Sequence, residues 1–330
     1  MPRIDALLAS REPSVRWRAR IGVLGEDAGS AEVLETREQI RQSERVRRLL
    51  DGLAERERHP YSKWQGSHWV LIALADIGYP PGDHGLLAVR DPVVATWLSP
   101  DYFRDHVITD AGPERIRAVP VINGRHRRCG SQQGGALLSI VRLGLEGDDS
   151  ARLAERLLYW QWPDSGWNCD LDPGARASSR YETLLPMRAL AAYSRAHEDG
   201  LVGAAARRAA EVLLERRIVY KRSSGRPIRA DWLKLHYPVY WRYDLLAGLK
   251  GLAETSLITD PRCRDALDLL EAKQLPGGGW AAEAKYFRGP GETSMPSDHV
   301  TWGPVDGRTM NEWVTADALC VLAAAGRLSL

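Results

Sequence analysis

Two stretches far apart in the chain share one punctuation: Gln161-Trp162-Pro163-Asp164-Ser165-Gly166-Trp167 and Gln274-Leu275-Pro276-Gly277-Gly278-Gly279-Trp280. In each, a helix-period apolar run ends at the glutamine, proline and glycine stop the helix, a tryptophan follows, and a polar stretch leads into a second apolar helix. Internal similarity of this kind marks stacked helical hairpins, none of which can bury its apolar face alone. It constrains architecture far more tightly than chemistry.

Five polar, aromatic-rich leads are each followed by a helix of small and aliphatic residues: 64–77, 130–144, 178–195, 239–254 and 310–326. The segments before them, 38–54, 92–99, 150–161, 203–219 and 261–273, read as outer helices, and all but 92–99 carry Arg, Glu or Asp on one side, as helices with a solvated face do. The pairs predict five hairpins of an inner and an outer helix. Residues 1–58 lack the Trp punctuation and read as an N-terminal helical cap plus the first outer helix; whether the cap completes a sixth hairpin is left open. Residues 59–330 then form the repeat domain, with the whole chain one structural unit. No stretch alternates as a strand does, so the expected class is all-α. The long connections 78–91, 108–129, 220–238 and 281–309 have the length of working loops.

Forty-five basic and forty-three acidic side chains leave a net charge of +2, so no bulk field points to nucleic acid or to an acidic polymer. Cys129, Cys169, Cys263 and Cys320 lie far apart without a C-x-x-C pair, which predicts reduced thiols and a cytoplasmic protein. Arg11, Glu12 and Arg16 interrupt the N-terminal apolar run, against a signal peptide, and no apolar window is long enough to span a bilayer. Twelve Trp and eleven Tyr against two Phe favour rings with a polar handle, suited to repeat turns or to a cavity mouth.

With outer and inner helices alternating around these Gln/Gly/Trp turns, residues 60–330 resemble the prenyltransferase and squalene-cyclase repeat superfamily, most strongly at 150–195 and 261–280. The resemblance implies an α/α toroid, with inner helices around a central cavity and outer helices enclosing them. Class II terpene cyclases of that superfamily carry an Asp-x-Asp-Asp acid motif at the mouth of an inner helix. The matching stretch here is Ser179-Arg180-Tyr181-Glu182-Thr183: Glu182 falls on the last acid, and Ser179 and Tyr181 stand where the other two would be. Asp170-Leu171-Asp172-Pro173 lacks the final Asp and lies in the preceding loop. Protein prenyltransferases hold zinc with Asp, Cys and His. Cys169, Asp170 and His236 offer those types without the Asp-x-Cys order, and the Cys-His-Gly and Trp-Cys-x-Gly motifs of lanthipeptide cyclases are missing. The expectation is a metal-independent site without a cofactor.

In a toroid the N-terminal ends of the inner helices converge. That would gather His68 and Trp69; Gln132 beside Ser131; Tyr181 and Glu182; the dense His236-Tyr237-Pro238-Val239-Tyr240-Trp241-Arg242-Tyr243-Asp244 stretch; and Glu312. Glu182 or Asp244 is the expected proton donor, since removal from water raises a carboxyl toward the range of a general acid. His236 and Tyr240 are expected to tune or relay the proton, with Tyr240 one helical turn from Asp244. Tyr181, His68, Trp69, Gln132, Trp241, Tyr243 and Glu312 are candidates for binding substrate. The bland alternative for the carboxylates is helix capping and pairing, Arg242 with Asp244 or Arg180 with Glu182. Arg125, Arg127 and Arg128, with Arg115 and Arg117 upstream, precede the helix at Gly130 and form a candidate anion site.

The resulting expectation is a terpenoid-cyclase-like enzyme, a cyclase, isomerase or lyase, applying acid–base chemistry in a central cavity to a largely apolar small molecule. Its rivals are a toroid that binds a ligand or peptide without turning it over, and a nucleic-acid-associated protein using the basic loop 115–128.

Overall fold

The computed structural model describes residues 4–54, 58–108, 117–221, 224–288 and 297–328; Arg115 and parts of the 108–129 and 281–309 connections lie outside them. The chain is mostly helical. Its helices are α1 (Ile4–Leu8), α2 (Pro13–Arg18), α3 (Ala31–Arg41), α4 (Glu44–Ala54), α5 (Ser67–Asp76), α6 (Leu87–Trp97) and α7 (Gly130–Arg142). They continue as α8 (Asp148–Trp160), α9 (Arg180–His197), α10 (Gly200–Leu214), α11 (Leu245–Glu254), α12 (Arg264–Ala272) and α13 (Glu312–Ala324), and a π-helical turn, Ala19–Val23, follows α2.

Helices of small and aliphatic residues are buried on nearly every face, and each packs on the next: α5 on α7, α7 on α9, α9 on α11, α11 on α13, and α13 on α2 and the π-helical turn. Gly134 permits one of these close approaches. A Cβ there would stand 2.5 Å from the backbone nitrogen of Pro186, so α7 and α9 touch only because the position is glycine. The helices between them, α8 and α12 among them, keep their charged faces outward. One continuous apolar core runs from Leu7 to Leu322, so the N-terminal helices are part of that core.

Three expectations need correction. A three-stranded sheet occupies the 105–126 region, β1 (Asp105–Val107) parallel to β2 (Val119–Ile122) and β2 antiparallel to β3 (Arg125–His126), so the fold is not purely α. Strands this short carry no visible alternation. The expected 38–54 helix is split between α3 and α4 by a break at Gln42 and Ser43. The 239–254 helix begins only at Leu245, because Asp244 is extended (φ −143°) and caps it, accepting from the Ala247 N–H at 2.7 Å.

The Gln/Gly/Trp punctuation proves to be a clamp built twice with the same bonds. The Trp167 indole donates to the Leu157 carbonyl (2.9 Å) and its backbone N–H to Thr183 Oγ1 (3.2 Å). The Trp280 indole donates to Leu270 (2.7 Å) and its backbone N–H to Thr315 Oγ1 (2.9 Å). In both copies the tryptophan carbonyl accepts, at 2.8 Å, the N–H of the residue capping the next buried helix, Ser179 or Asn311. Each clamp thus satisfies a free carbonyl of an outer helix and fixes the start of the next buried one.

From the middle to the C-terminal ends of the buried helices lies an ionic cluster. Arg18 bridges Asp76 (2.8 Å) and Asp317 (2.9 Å), Lys250 bridges the same two carboxylates at 2.9 Å each, and Arg188 and Arg142 hold Glu254 at 2.7 and 2.8 Å. Burial alone would raise Asp76 and Glu254, but these cations hold both carboxyls below the ordinary range.

Candidate functional site

The site forms where two loops run side by side. Residues Arg127 and Asn168 make a parallel bridge, which sets Cys129, the residue before α7, beside Cys169, two residues past the clamp tryptophan. The clamp also fixes the first turn of α9. Glu182 there does not cap its own helix; Oε2 accepts from the Ser131 N–H (3.1 Å) and Oγ (2.7 Å), serving the first turn of α7. The Cys169 thiol donates to Glu182 Oε1 at 3.6 Å. The ligating atoms of Cys129, Cys169 and Glu182 all lie within 4.8 Å of one another, so these three residues could hold a metal ion. Burial pushes the Glu182 carboxyl up, against the bonds from Ser131 and Cys169 and the charge of Arg128. The hydrogen bond with Cys129, then burial and the Glu182 charge, push the Cys169 thiol far up.

Cations and rings rim this cluster. Arg128 is buried against Tyr102 (4.8 Å) and Trp97 (5.7 Å), with Nε and Nη2 lacking hydrogen-bond partners. Lys63 Nζ and the Arg242 guanidinium both lie on the Trp241 ring, at 4.8 and 4.9 Å, and Lys63 is pushed down by burial and by Arg242. Tyr181 packs its ring edge on Trp241 and accepts from the Trp232 indole at 2.8 Å. Gln132 stands beside the Tyr61 phenol.

The other expected residues are scattered. His236 is paired with Asp244, Nδ1 lying 2.7 Å from Oδ2 but off the line of a ring N–H, and both are buried. Asp244 also accepts from the His236 backbone N–H (3.0 Å) and from Ala247, so it is a buried cap of α11. Tyr240 is not a helical turn from Asp244, since the chain there is non-helical with φ +48° at Tyr240. Its hydroxyl donates to Asp298, and its ring stacks on Trp64 at 4.3 Å, so no relay joins it to His236. Tyr243 donates to the Ile218 carbonyl (2.9 Å) in the core and offers nothing to a substrate. His68 accepts from the Trp97 indole (3.2 Å) and burial pushes it down to about 3; Trp69 is buried beside it. Glu312 accepts from Ser10 (2.9 Å) and lines a separate cleft with Arg11, Arg16 and Arg45.

The arginines of the basic loop part company. Arg125 and Arg127 lie on the Trp162 ring, and Arg127 donates to the carbonyls of Asp170 and Ala175 at 3.1 Å each, whereas Arg128 turns inward toward Glu182. Arg242 does not pair with Asp244, nor Arg180 with Glu182: Arg242 lies on Trp241 and Tyr286, and Arg180 on Trp232. The cavity lined by Ile72, Leu138, Leu185, Arg188, Val239 and Tyr240 has about 30 Å³, room for roughly two waters. Neither Glu182 nor His236 lines it.

Sequence reasoning missed the pairing of the cysteines and the roles of Lys63 and Arg242. One signal was present: Cys129 directly precedes a buried helix, and Cys169 lies in the loop that leads into the next. What the chain defines is a mostly helical protein with a cysteine and carboxylate cluster at the start of its buried helices. Among the described residues no helix is long and apolar enough to cross a membrane. Comparison with protein-family models, curated proteins and solved structures finds no match.

Proposed function

We propose that the protein is an α/α-toroid enzyme, similar to terpenoid cyclases, that carries out acid–base chemistry at the rim centred on Glu182. Its substrate is a small, largely apolar molecule with an anionic end. The toroid is supported by the succession of contacts from α5 to α13 and back to α2, and by the ionic cluster that gathers these helices. The chemical reading is carried by one observation: Glu182 is fixed by Ser131 while burial pushes its carboxyl up, the combination a general acid needs. The second clamp makes the point independently. Counted from its tryptophan and threonine, the residues equivalent to Cys169 and Glu182 are Ala282 and Val314, so the architecture itself requires neither thiol nor carboxyl.

The 30 Å³ cavity is too narrow for such a substrate, and this reading seats it instead at the rim beside Glu182. Tyr181 and Trp241 suit an apolar body or a developing cation, and Lys63, Arg128 and Arg242 suit an anionic end. The test is turnover of a panel of linear isoprenoids, free and as diphosphates, by wild type, Glu182→Gln and Glu312→Gln. Glu182→Gln should lose about 10²–10⁴-fold in rate, the usual contribution of a general acid, and Glu312→Gln nothing. Undiminished turnover in Glu182→Gln overturns the assignment. Saturable thermal stabilisation without product favours a binding toroid instead.

A further inference from the structure

We propose that Cys129, Cys169 and Glu182 bind one divalent metal ion of the zinc type, with the fourth coordination position open. The inference rests on the Glu182 rim being the working site and changes which group there is the acid: with an ion bound, Glu182 would be an ionised ligand and no longer the proton donor, and the open position would take a substrate oxygen or a water that supplies the proton in its place. The first argument is geometric. Two ligands of a tetrahedral zinc ion, a sulfur at about 2.3 Å and a carboxylate oxygen at about 2.1 Å, lie about 3.6 Å from each other. Cys169 Sγ and Glu182 Oε1 are 3.6 Å apart, and Cys129 Sγ lies within 4.8 Å of both. Ser131 occupies only Oε2, leaving the oxygen nearer the thiol available.

The second argument is charge. Two thiolates and a carboxylate on a divalent ion leave one negative charge in a partly buried place, which needs a counter-charge. Arg128 stands beside all three residues, with two guanidinium nitrogens lacking partners. The third concerns position. The three ligands come from separate segments, the lead into α7, the loop after the clamp and the first turn of α9, each held by its own backbone bonds: the Arg127–Asn168 bridge, the Trp167–Thr183 bond and the Trp167–Ser179 bond. Two soft sulfur ligands select zinc or a similar ion over magnesium or calcium. Binding displaces thiol protons, so it strengthens as pH rises.

The test uses the full chain purified under reductant, stripped with a chelator and titrated with Co²⁺, then Zn²⁺. The expected result is one Co²⁺ per chain, with a near-ultraviolet thiolate-to-cobalt band and the intense visible bands of a tetrahedral site, both abolished by one equivalent of Zn²⁺. Cys129→Ser/Cys169→Ser should lose the thiolate band. Glu182→Gln should keep that band but bind more weakly, and Cys320→Ser, whose thiol lies away from the cluster against the Arg18 carbonyl, should bind as wild type does. Circular dichroism and melting of the stripped variants separate lost ligands from lost fold. Failure of the folded, reduced wild type to retain Co²⁺, or a thiolate band surviving in the double variant, overturns the proposal. Turnover that depends on Glu182 in protein that binds no metal overturns the metal alone; stoichiometric metal without any turnover overturns the acid–base reading alone.

Discussion

Replacing Thr183 by valine tests the clamp on which the site depends. The side chain keeps its shape, but the Trp167 N–H, which donates to Thr183 Oγ1 at 3.2 Å in the core, loses its acceptor. Thr315→Val does the same to the Trp280 N–H, bonded at 2.9 Å. A buried donor left unsatisfied costs about 1–3 kcal/mol, so about 2 kcal/mol is expected for each. For the 330 residues of this chain the unfolding entropy at the midpoint is about 0.7 kcal/mol/K, so each variant should melt about 3 °C lower. The two clamps share no partner, so the double variant should fall by about 6 °C. Gly166→Ala should cost more than either, since its Cβ would stand 2.5 Å from both Ser178 Cβ and Thr183 Oγ1. Calorimetry of the wild type and the four variants is the assay. If one threonine variant melts with the wild type while the other falls, the two turns are not one device and the equivalence of Glu182 with Val314 is lost.

Two further outcomes follow from the buried charges. His68 is held neutral down to about 3, so between there and about pH 6.5 the unfolded chain binds one more proton than the folded chain. Stability through this residue is therefore lost as pH drops from about 6.5 toward 3, by about 1.4 kcal/mol per unit. His68→Phe should be less stable than wild type at pH 7 by about 1–3 kcal/mol, because the Trp97 indole loses its acceptor, and should close or reverse that gap at pH 4.5; urea midpoints at both pH values decide, and a constant gap refutes it. Lys250→Met should cost about 3 kcal/mol, because Asp76 and Asp317 lose a partner held at 2.9 Å while remaining largely buried. The depressed Asp76 carboxyl contributes stability above its unfolded range that is lost as pH falls through its folded value. Removing Lys250 raises that folded value, so acid unfolding should begin at higher pH, and an unchanged acid midpoint would show that Lys250 does not control Asp76.

Much of this was legible in the chain because it is written in local pattern. Apolar periodicity located the buried helices α5, α7, α9 and α13 to within a few residues, and the Gln/Gly/Trp turns located the clamps. The short sheet escaped because two- to four-residue strands are stabilised by pairing with distant partners and leave no alternation. The 239–244 stretch misled for a different reason. It runs straight into the apolar helical pattern of 245–254, but Asp244 serves α11 as a cap and Tyr240 turns to Asp298, a partner 58 residues away. Glu182 could be singled out in the chain because its position is counted from a turn. Its companions Cys129 and Cys169 were passed over because their nearness is a property of two adjacent loops and of no sequence spacing.

The claim that these loops bring Cys129 and Cys169 together can be measured without knowing any substrate. Native, reduced protein is treated with one equivalent of a trivalent arsenical, which bridges only thiols already side by side, then digested and examined by mass spectrometry. The account predicts a bridged pair of peptides carrying Cys129 and Cys169, absent from Cys129→Ser and from protein unfolded in urea. Bridging of Cys169 to Cys263 or Cys320, or no bridge in the folded protein, would contradict it.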